Sequence, residues 1–261
     1  MSEYYTGRRT TRLYDPNSPE PFYLSRSKLE NFIKCKRCFY LDRRLGVSEP
    51  PGYPFSLNSA VDHLLKKEFD IYREKGEPHP LMVDAKIDAV PFVHPKLDEW
   101  RETRKGLRYV DEESGFLFAG AVDDLWINKK GEVIVVDYKA TSKDTEVSLD
   151  ADWQIGYKRQ MEIYQWLVEK NDLKVSSEGY FVYANGRKSE PIFDAKLHFD
   201  IKVIPYKGDR SWVSQSLKDA AKCLKQDELP PKGEDCDYCL YREVSINALI
   251  EHKRQASAVA Q

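Results

Sequence analysis

Apolar positions recur along this chain with two different periods. Between 25 and 46, in SRSKLENFIKCKRCFYLDRRLG, Leu29, Phe32, Ile33, Phe39 and Tyr40 make one stripe. That spacing predicts a helix capped near Ser25 or Ser27. PPGYPF interrupts the chain at 50–55, and a second helix is predicted over 56–76. Residues 77–111 carry five Pro or Gly and predict loops with short helices. The period then falls to two. The runs GFLFAGAVDDLWIN (115–128) and EVIVVDYKAT (132–141) flank a Lys-Lys-Gly turn, which predicts a β-hairpin. The helical period returns over 152–171, with Trp153, Tyr157, Met161, Tyr164, Leu167 and Val168 on one stripe. Strands at 177–186 and 195–206, a helix at 211–226 and a polar helix or tail complete the order.

That order predicts a mixed α/β domain whose N-terminal part is mostly helical. Residues 1–22 read as an irregular arm, 23–242 as a single domain, and 243–261 as a C-terminal helix or tail. Hydrophobic residues make up 41% and aromatics 12%, enough for a substantial core and against a disordered chain. The 41 Lys and Arg nearly cancel the 43 Asp and Glu, leaving a net charge of -2. Nothing then attracts nucleic acid globally, and contact with DNA requires a local basic patch. The opening MSEYYTGRRTTRLYD has no apolar segment of the secretory kind. No run approaches the roughly 18 apolar residues of a membrane helix. A cytoplasmic location without membrane contact is therefore expected, and there the five Cys favour metal or thiol chemistry over disulfides.

The hairpin carries the first chemistry. If its turn centres on Lys130, residues whose numbers sum to 260 face each other, which sets Asp123 opposite Asp137. Opposed residues share a face with Cβ atoms about 5 Å apart. Lys139, two residues past Asp137, shares that face. Two carboxylates so close are unfavourable unless a cation lies between them or one is protonated. A hard divalent ion such as Mg²⁺ answers this, with the Tyr138 carbonyl as a further oxygen. Lys139 would then orient or deprotonate a water, or stabilise the charge developing on a phosphorane. The same residues also fit a structural Asp–Lys ion pair at a strand end, and a one-residue slip would exchange Asp124 for Asp123.

The second constellation is Cys35 and Cys38 in CKRC with Cys236 and Cys239 in CDYC. Two close pairs of thiolates suit a tetrahedral Zn²⁺ or an iron–sulfur cluster, and either would staple the two ends of the chain together. Cys223 lies in an apolar helical stretch and reads as a core thiol.

GAVDD…VVDYK resembles the G-x-x-D…(D/E)-x-K core of the PD-(D/E)XK nuclease superfamily. More narrowly it is similar to the RecB-like branch, which includes AddB-like helicase-nucleases and CRISPR-adaptation exonucleases. Asp123 follows Gly120 by three, Asp137 and Lys139 match the D-x-K pair, and Gln160 and Tyr164 match the branch's Q-x-x-x-Y motif. The resemblance implies a restriction-endonuclease-like core, a central mixed sheet flanked by helices, over about 112–226, with a helical insertion over about 56–111. It implies a Mg²⁺- or Mn²⁺-dependent deoxyribonuclease, an exonuclease acting on single- or double-stranded DNA, alone or beside a helicase or other DNA-processing partner. The catalytic set is then Asp123, Asp137, Lys139, Gln160 and Tyr164. Gln160 would contact the lysine or the substrate; without the resemblance, it reads as an amide bonded to a neighbouring strand. The metal ligands are Asp62, Asp123, Asp137 and the Tyr138 carbonyl. The branch's G-x-x-x-H is altered: Asn58 stands for the Gly and Asp62 for the His. Asp62 shares a helical face with Leu65 and Phe69, whereas His63 shares one with Lys66, Lys67 and Asp70 that reads as solvated. Loss of the His leaves room for a weakly active or inactive DNA-binding or assembly subunit. The resemblance favours [4Fe–4S] at the cysteines, and the two-plus-two spacing equally suits zinc. Lys34, Lys36, Arg37, Arg43, Arg44, Lys143, Lys158 and Arg159 are available to meet phosphates, and Trp153 and Tyr157 to stack on bases or fill the core.

Overall fold

The computed structural model describes residues 7–52 and 56–259, the last three by backbone alone. Parts of the expected arm (1–6), the Pro-rich interruption (53–55) and the end of the tail (260–261) lie outside the described residues. The chain runs β1 (Phe22–Ser25), α1 (Arg26–Lys34), α2 (Lys36–Arg43), α3 (Ser56–Lys75), α4 (Pro80–Asp84), β2 (Ala89–Pro91), α5 (Leu97–Arg101), β3 (Leu107–Asp111) and β4 (Phe116–Gly120). It continues through β5 (Asp124–Asn128), β6 (Val133–Thr141), α6 (Ile155–Lys170), β7 (Glu178–Gly186), β8 (Phe199–Lys207), α7 (Trp212–Lys225) and α8 (Asp237–Val259). A 3₁₀ turn at Asp152–Gln154 leads into α6.

The strands form a five-stranded mixed sheet, β2-β5-β6-β7-β8, and a three-stranded sheet, β1-β4-β3. β6 is antiparallel to β5 and parallel to β7, with α6 as the crossover. Burial on both faces explains its unbroken apolar run. Val133 and Val135 join the main core with Met161, Ile163 and Leu167 of α6. Ile134, Val136 and Tyr138 pack on the other face with Leu65 and Phe69 of α3 and with Trp126. Helices thus flank the sheet, as expected.

Several boundaries differ from the sequence reading. The single helix expected over 25–46 is two helices, broken at Cys35 (φ −156°, ψ 105°), whose sulfur accepts the Cys38 N–H. The strand expected over 115–128 is β4 and β5, which lie in different sheets. β1, β2 and β3 were not anticipated: β1 pairs with β4, β3 with β4 and β2 with β5. The last strand begins at Phe199 rather than 195.

Gly120, at the end of β4, shows why the bend before Asp123 needs a glycine. A Cβ there would lie 2.9 Å from Tyr164 Cε1 and 3.0 Å from Leu167 Cδ1. The bare backbone lets α6 seat Tyr164 directly beneath the strand end, and so sets how close α6 comes to the acidic cluster.

Candidate functional site

β5 and β6 pair Asp124 with Val136 and Leu125 with Val135, so partners sum to 260 as the turn predicts. Asp123 lies one residue before β5, and there its Oδ2 accepts the Tyr138 N–H at 3.0 Å. A strand residue directs its N–H and C=O to the same edge. The Tyr138 carbonyl therefore also faces Asp123, just before β5 begins. Its phenol lies on the opposite face of the sheet, donating to Asp124 Oδ2 at 2.8 Å.

Asp137 is fully buried. Its Oδ1 accepts Gln160 Nε2 at 2.7 Å, and its Oδ2 is ion-paired with Lys139 Nζ. Burial, reinforced by Asp123 and partly offset by Lys139, pushes its carboxyl up to about 7. Burial pulls Lys139 the other way, but Asp137 and Asp123 outweigh it and hold the ammonium above the ordinary lysine range. The Lys139 ammonium also lies 4.6 Å from the centroid of the Tyr157 ring. Gln160 Nε2 reaches the Tyr164 hydroxyl at 3.3 Å. Gln160 thus contacts Asp137 and not the lysine: its site is the inner side of the carboxylate, in the second turn of α6.

α3 brings Asp62 to the same place. An open cleft of 340 Å³ is lined by Asn58, Asp62, Asp123, Tyr138, Lys139 and Gln160, together with Arg26, Ser59, Val61, Ala140 and Tyr157. Burial and the nearby Asp123 raise the Asp62 carboxyl, against the pull of Lys66. His63 is exposed, and Asp62 faces inward with buried Leu65 and Phe69. Lys66 and Asp70, however, do not share the solvated face of His63. Lys66 Nζ lies 2.8 Å from Asp62 Oδ2 and 3.6 Å from Asp123 Oδ1. Asp70 accepts from Arg73 and Arg101 at 2.9 Å each. Asn58, in the place of the motif glycine, donates to the Ala140 carbonyl at 3.2 Å and ties α3 to the end of β6.

Asp124, the residue that a slip would have exchanged for Asp123, has a different role. It is fully buried, and its Oδ1 accepts Arg73 and Arg101 at 2.5 Å each. It anchors α3 and α5 to β5 from the face opposite Asp137.

Sequence reasoning missed Lys66 and Arg26. The Arg26 guanidinium lies at the cleft, 5.9 Å from the Tyr164 ring centroid. Lys66 falls four residues after Asp62, a spacing that brings helical side chains together, and this was the available signal. No local pattern marks Arg26. Four of the eight expected phosphate contacts are committed elsewhere. Arg159 makes a bidentate pair with Glu30, Arg43 binds Asp42, Arg37 donates to the Pro230 carbonyl and Arg44 to that of Tyr14.

The four cysteines converge. Sγ atoms of Cys35 and Cys239 lie 3.7 Å apart, Cys38 and Cys236 3.5 Å, and Cys38 and Cys239 3.6 Å. They form the one group of three or more His, Cys, Asp or Glu, among the described residues, whose ligand atoms all lie within 4.8 Å of each other. Burial tends to raise the Cys35 thiol, but the N–H groups of Cys38 and Gly233 outweigh this and hold it at about 7. Burial raises Cys38 and Cys239. Gly233 comes within 3.2 Å of Cys35 Sγ through its N–H, and a Cβ there would meet the Lys34 carbonyl at 2.5 Å. Cys223 is a separate buried thiol in the main core, as expected.

The PD-(D/E)XK nuclease superfamily is matched over residues 23–244, so this chain belongs to that superfamily. A solved structure described as "Crystal structure of SSO0001" is similar at 15% identity, over 87% of each chain, with a TM-score of 0.40. No curated protein matches. Among the described residues no helix is long and apolar enough to cross a membrane.

Proposed function

We propose that this chain is a Mg²⁺- or Mn²⁺-dependent deoxyribonuclease of the RecB-like type, an exonuclease of DNA processing, repair or defence. The observation that carries this reading is one cleft lined by Asp62, Asp123, Lys139 and Gln160, with Asp137 directly behind Lys139. The donor set suits a hard divalent ion by its chemistry, with Asp62 and Asp123 lining the cleft and Asp137 behind them. It is all oxygen, and two of its carboxyls are raised by crowding and burial, a strain that a cation relieves. Asp62, Asp123, Asp137 and the Tyr138 carbonyl would hold the ion. When bound, it supplies Lewis acidity and a water of lowered pKa.

The chain's own groups do the rest. Asp137 and Asp123 hold Lys139 above the ordinary lysine range, which suits it to donate to a phosphate oxygen. Asp137 fixes its position, and Gln160, backed by Tyr164, fixes Asp137. Arg26 adds a cation at the mouth of the cleft. In hydrolysis, water adds to phosphorus and one ester P–O bond breaks, with negative charge growing on the oxygens that these cations face.

The cysteine quartet is the second metal site, for [4Fe–4S] or Zn²⁺. Three of its six sulfur separations lie close to the edges of about 3.8 Å that a tetrahedron of Zn–S bonds gives, and all lie within 4.8 Å, which supports a single ion. Metal analysis with a visible spectrum separates iron from zinc.

The test of the main reading is cleavage of end-labelled single- and double-stranded DNA with Mg²⁺ or Mn²⁺, beside Lys139→Ala. Abolished cleavage in the variant is expected, and equal activity overturns the assignment. One observation favours a second reading, a nuclease fold used as a DNA-binding or assembly subunit: Lys66 already neutralises Asp62 and Asp123. DNA binding without cleavage, unchanged by Lys139→Ala, would select it.

A further inference from the structure

Trp153 was expected on the buried stripe of α6, yet it is 58% exposed. The turn that carries it is firmly held. Its neighbour Gln154 is fully buried, accepts the Ala151 N–H at 3.0 Å and donates to the Ser148 carbonyl at 2.7 Å and the Tyr183 hydroxyl at 3.2 Å. An indole displayed to solvent on so fixed a turn forgoes much of its apolar burial.

Its surroundings point toward the cleft. The Trp153 ring meets Tyr157 edge-on, with centroids 5.4 Å apart and planes at 82°. Tyr157 in turn lies beneath the Lys139 ammonium. On the outer side, Lys143 Nζ lies 5.1 Å from the Trp153 centroid. The Lys143 backbone is fixed by two hydrogen bonds to the Asn185 side chain, and its ammonium rests on the indole and, among the described residues, on no carboxylate. Lysine, aromatic, aromatic, lysine thus form one continuous line from the acidic cluster to open surface. Alternating cations and rings are what an unpaired strand needs, with phosphates on the ammoniums and a base on the ring. A duplex keeps its bases stacked and offers the indole nothing.

We propose that Trp153, with Lys143 and Tyr157, is a stacking platform for an unpaired nucleotide next to the cleft, and that it makes the site prefer single strands or frayed ends. The proposal deepens the nuclease reading and rests on it for its direction, but its test is a binding measurement. A labelled thymidine oligonucleotide and a labelled hairpin duplex are titrated in Ca²⁺ without Mg²⁺, Mn²⁺ or chelator, and affinity is read by anisotropy. Trp153→Ala is expected to weaken single-strand binding about 5- to 150-fold, the range of one lost base–aromatic stack. Trp153→Phe keeps most of the affinity, and duplex binding does not move. Lys143→Ala lowers the salt slope of single-strand binding by about 0.7, one phosphate contact. Unchanged single-strand affinity in Trp153→Ala, or an equal fall on duplex, overturns the platform. Cleavage by the unaltered protein with Mn²⁺ is measured alongside. Cleavage with no effect of Trp153 removes the platform and keeps the nuclease. Trp153-dependent binding without cleavage removes the nuclease and keeps the platform.

Discussion

Changing Asp124 to Asn takes the charge from a carboxylate that is fully buried between two guanidinium groups and a phenol. Arg73 and Arg101 are 10% and 9% exposed, so neither has water to turn to. Asp70 remains to both, but it is 40% exposed and already engaged. Removing one partner of a buried charge cluster costs about 3–5 kcal/mol. Against a total stability of about 5–15 kcal/mol, that is a large share. With a urea slope near 3 kcal/mol/M, the midpoint falls by about 1–2 M. Asp123→Asn should behave in the opposite way. It relieves repulsion with Asp62 and Asp137, and an Asn oxygen still accepts the Tyr138 N–H. What it loses is a 3.6 Å contact with Lys66, worth about 1 kcal/mol or less, and the smaller share of the attraction on the Lys139 ammonium, which Asp137 retains. Its stability should stay within about 1 kcal/mol of the unaltered protein while DNA cleavage is lost. Urea melts of both variants, run beside the nuclease assay, decide the matter. Equal destabilisation by the two amides, or a stable Asp124→Asn that cannot cleave, would refute the division of labour drawn here.

Two further outcomes follow from other parts of the fold. Cys236→Ser removes one of four converging sulfurs and leaves Cys239 alone to tie α8 to the junction of α1 and α2. Metal content measured by mass spectrometry should fall to near zero, and limited proteolysis should cut first near 230–240; full metal content would contradict this. Asp42 is buried among Arg9, Lys28 and Arg43. Burial alone would raise its carboxyl, but hydrogen bonds from Arg43, Lys28 and Ser48 outweigh this and hold it well below the usual carboxylate range. A depressed folded-state value means that its contribution is complete above the unfolded pKa, about 3.9, and is lost as pH falls through the folded value. The stability gap between the unaltered protein and Asp42→Asn, measured by urea midpoints, should therefore be constant from pH 7 to 5 and shrink below pH 4. A gap independent of pH would show that the carboxylate charge is not what stabilises the site.

Local pattern carried the centre of the site and failed at its edges. The register of β5 on β6 was legible because strand period and a short turn together fix the pairing, and Trp126↔Ile134 and Ile127↔Val133 follow from the same sum. The change of sheet between β4 and β5 was not. Ala121 and Val122 continue the apolar alternation, while the strands that place β4 and β5 in different sheets gave no such signal: β1 is distant in sequence, β2 has three residues, and β3 follows the Pro- and Gly-bearing stretch read as loops. The break at Cys35 was hidden for a related reason. Leu29 and Phe32 before it and Phe39 and Tyr40 after it bury into one core, so the stripe survives the break. CKRC was legible as a ligand pair. Its backbone consequence, a sulfur that accepts the Cys38 N–H and starts a new helix, comes from the same thiol.

α3 shows how a charged residue on an apolar stripe should be read. Asp62, Lys66, Phe69 and Arg73 follow one another at helical spacing and lie on one face. A count of apolar positions alone sends Lys66 to solvent with His63. The cost of a part-buried ammonium argues otherwise, because it requires an acid within reach, and Asp62 and Asp123 were already placed nearby. Arg73 makes the same demand one turn beyond Phe69 and is met by Asp124. Phe69 itself stacks on Trp126 at 5.4 Å and separates the two ends of the face. Consecutive residues at the entry to β5 thus meet different cations of one helix, Asp123 meeting Lys66 and Asp124 meeting Arg73. A slip of one residue in β5 would put Asp123 between two buried guanidiniums and draw Asp124 out of its neutralising shell. The arginines on the far face therefore hold the register that keeps Asp123 opposite Asp137, so the stability of this hairpin and the geometry of its acidic cluster are set by the same contacts.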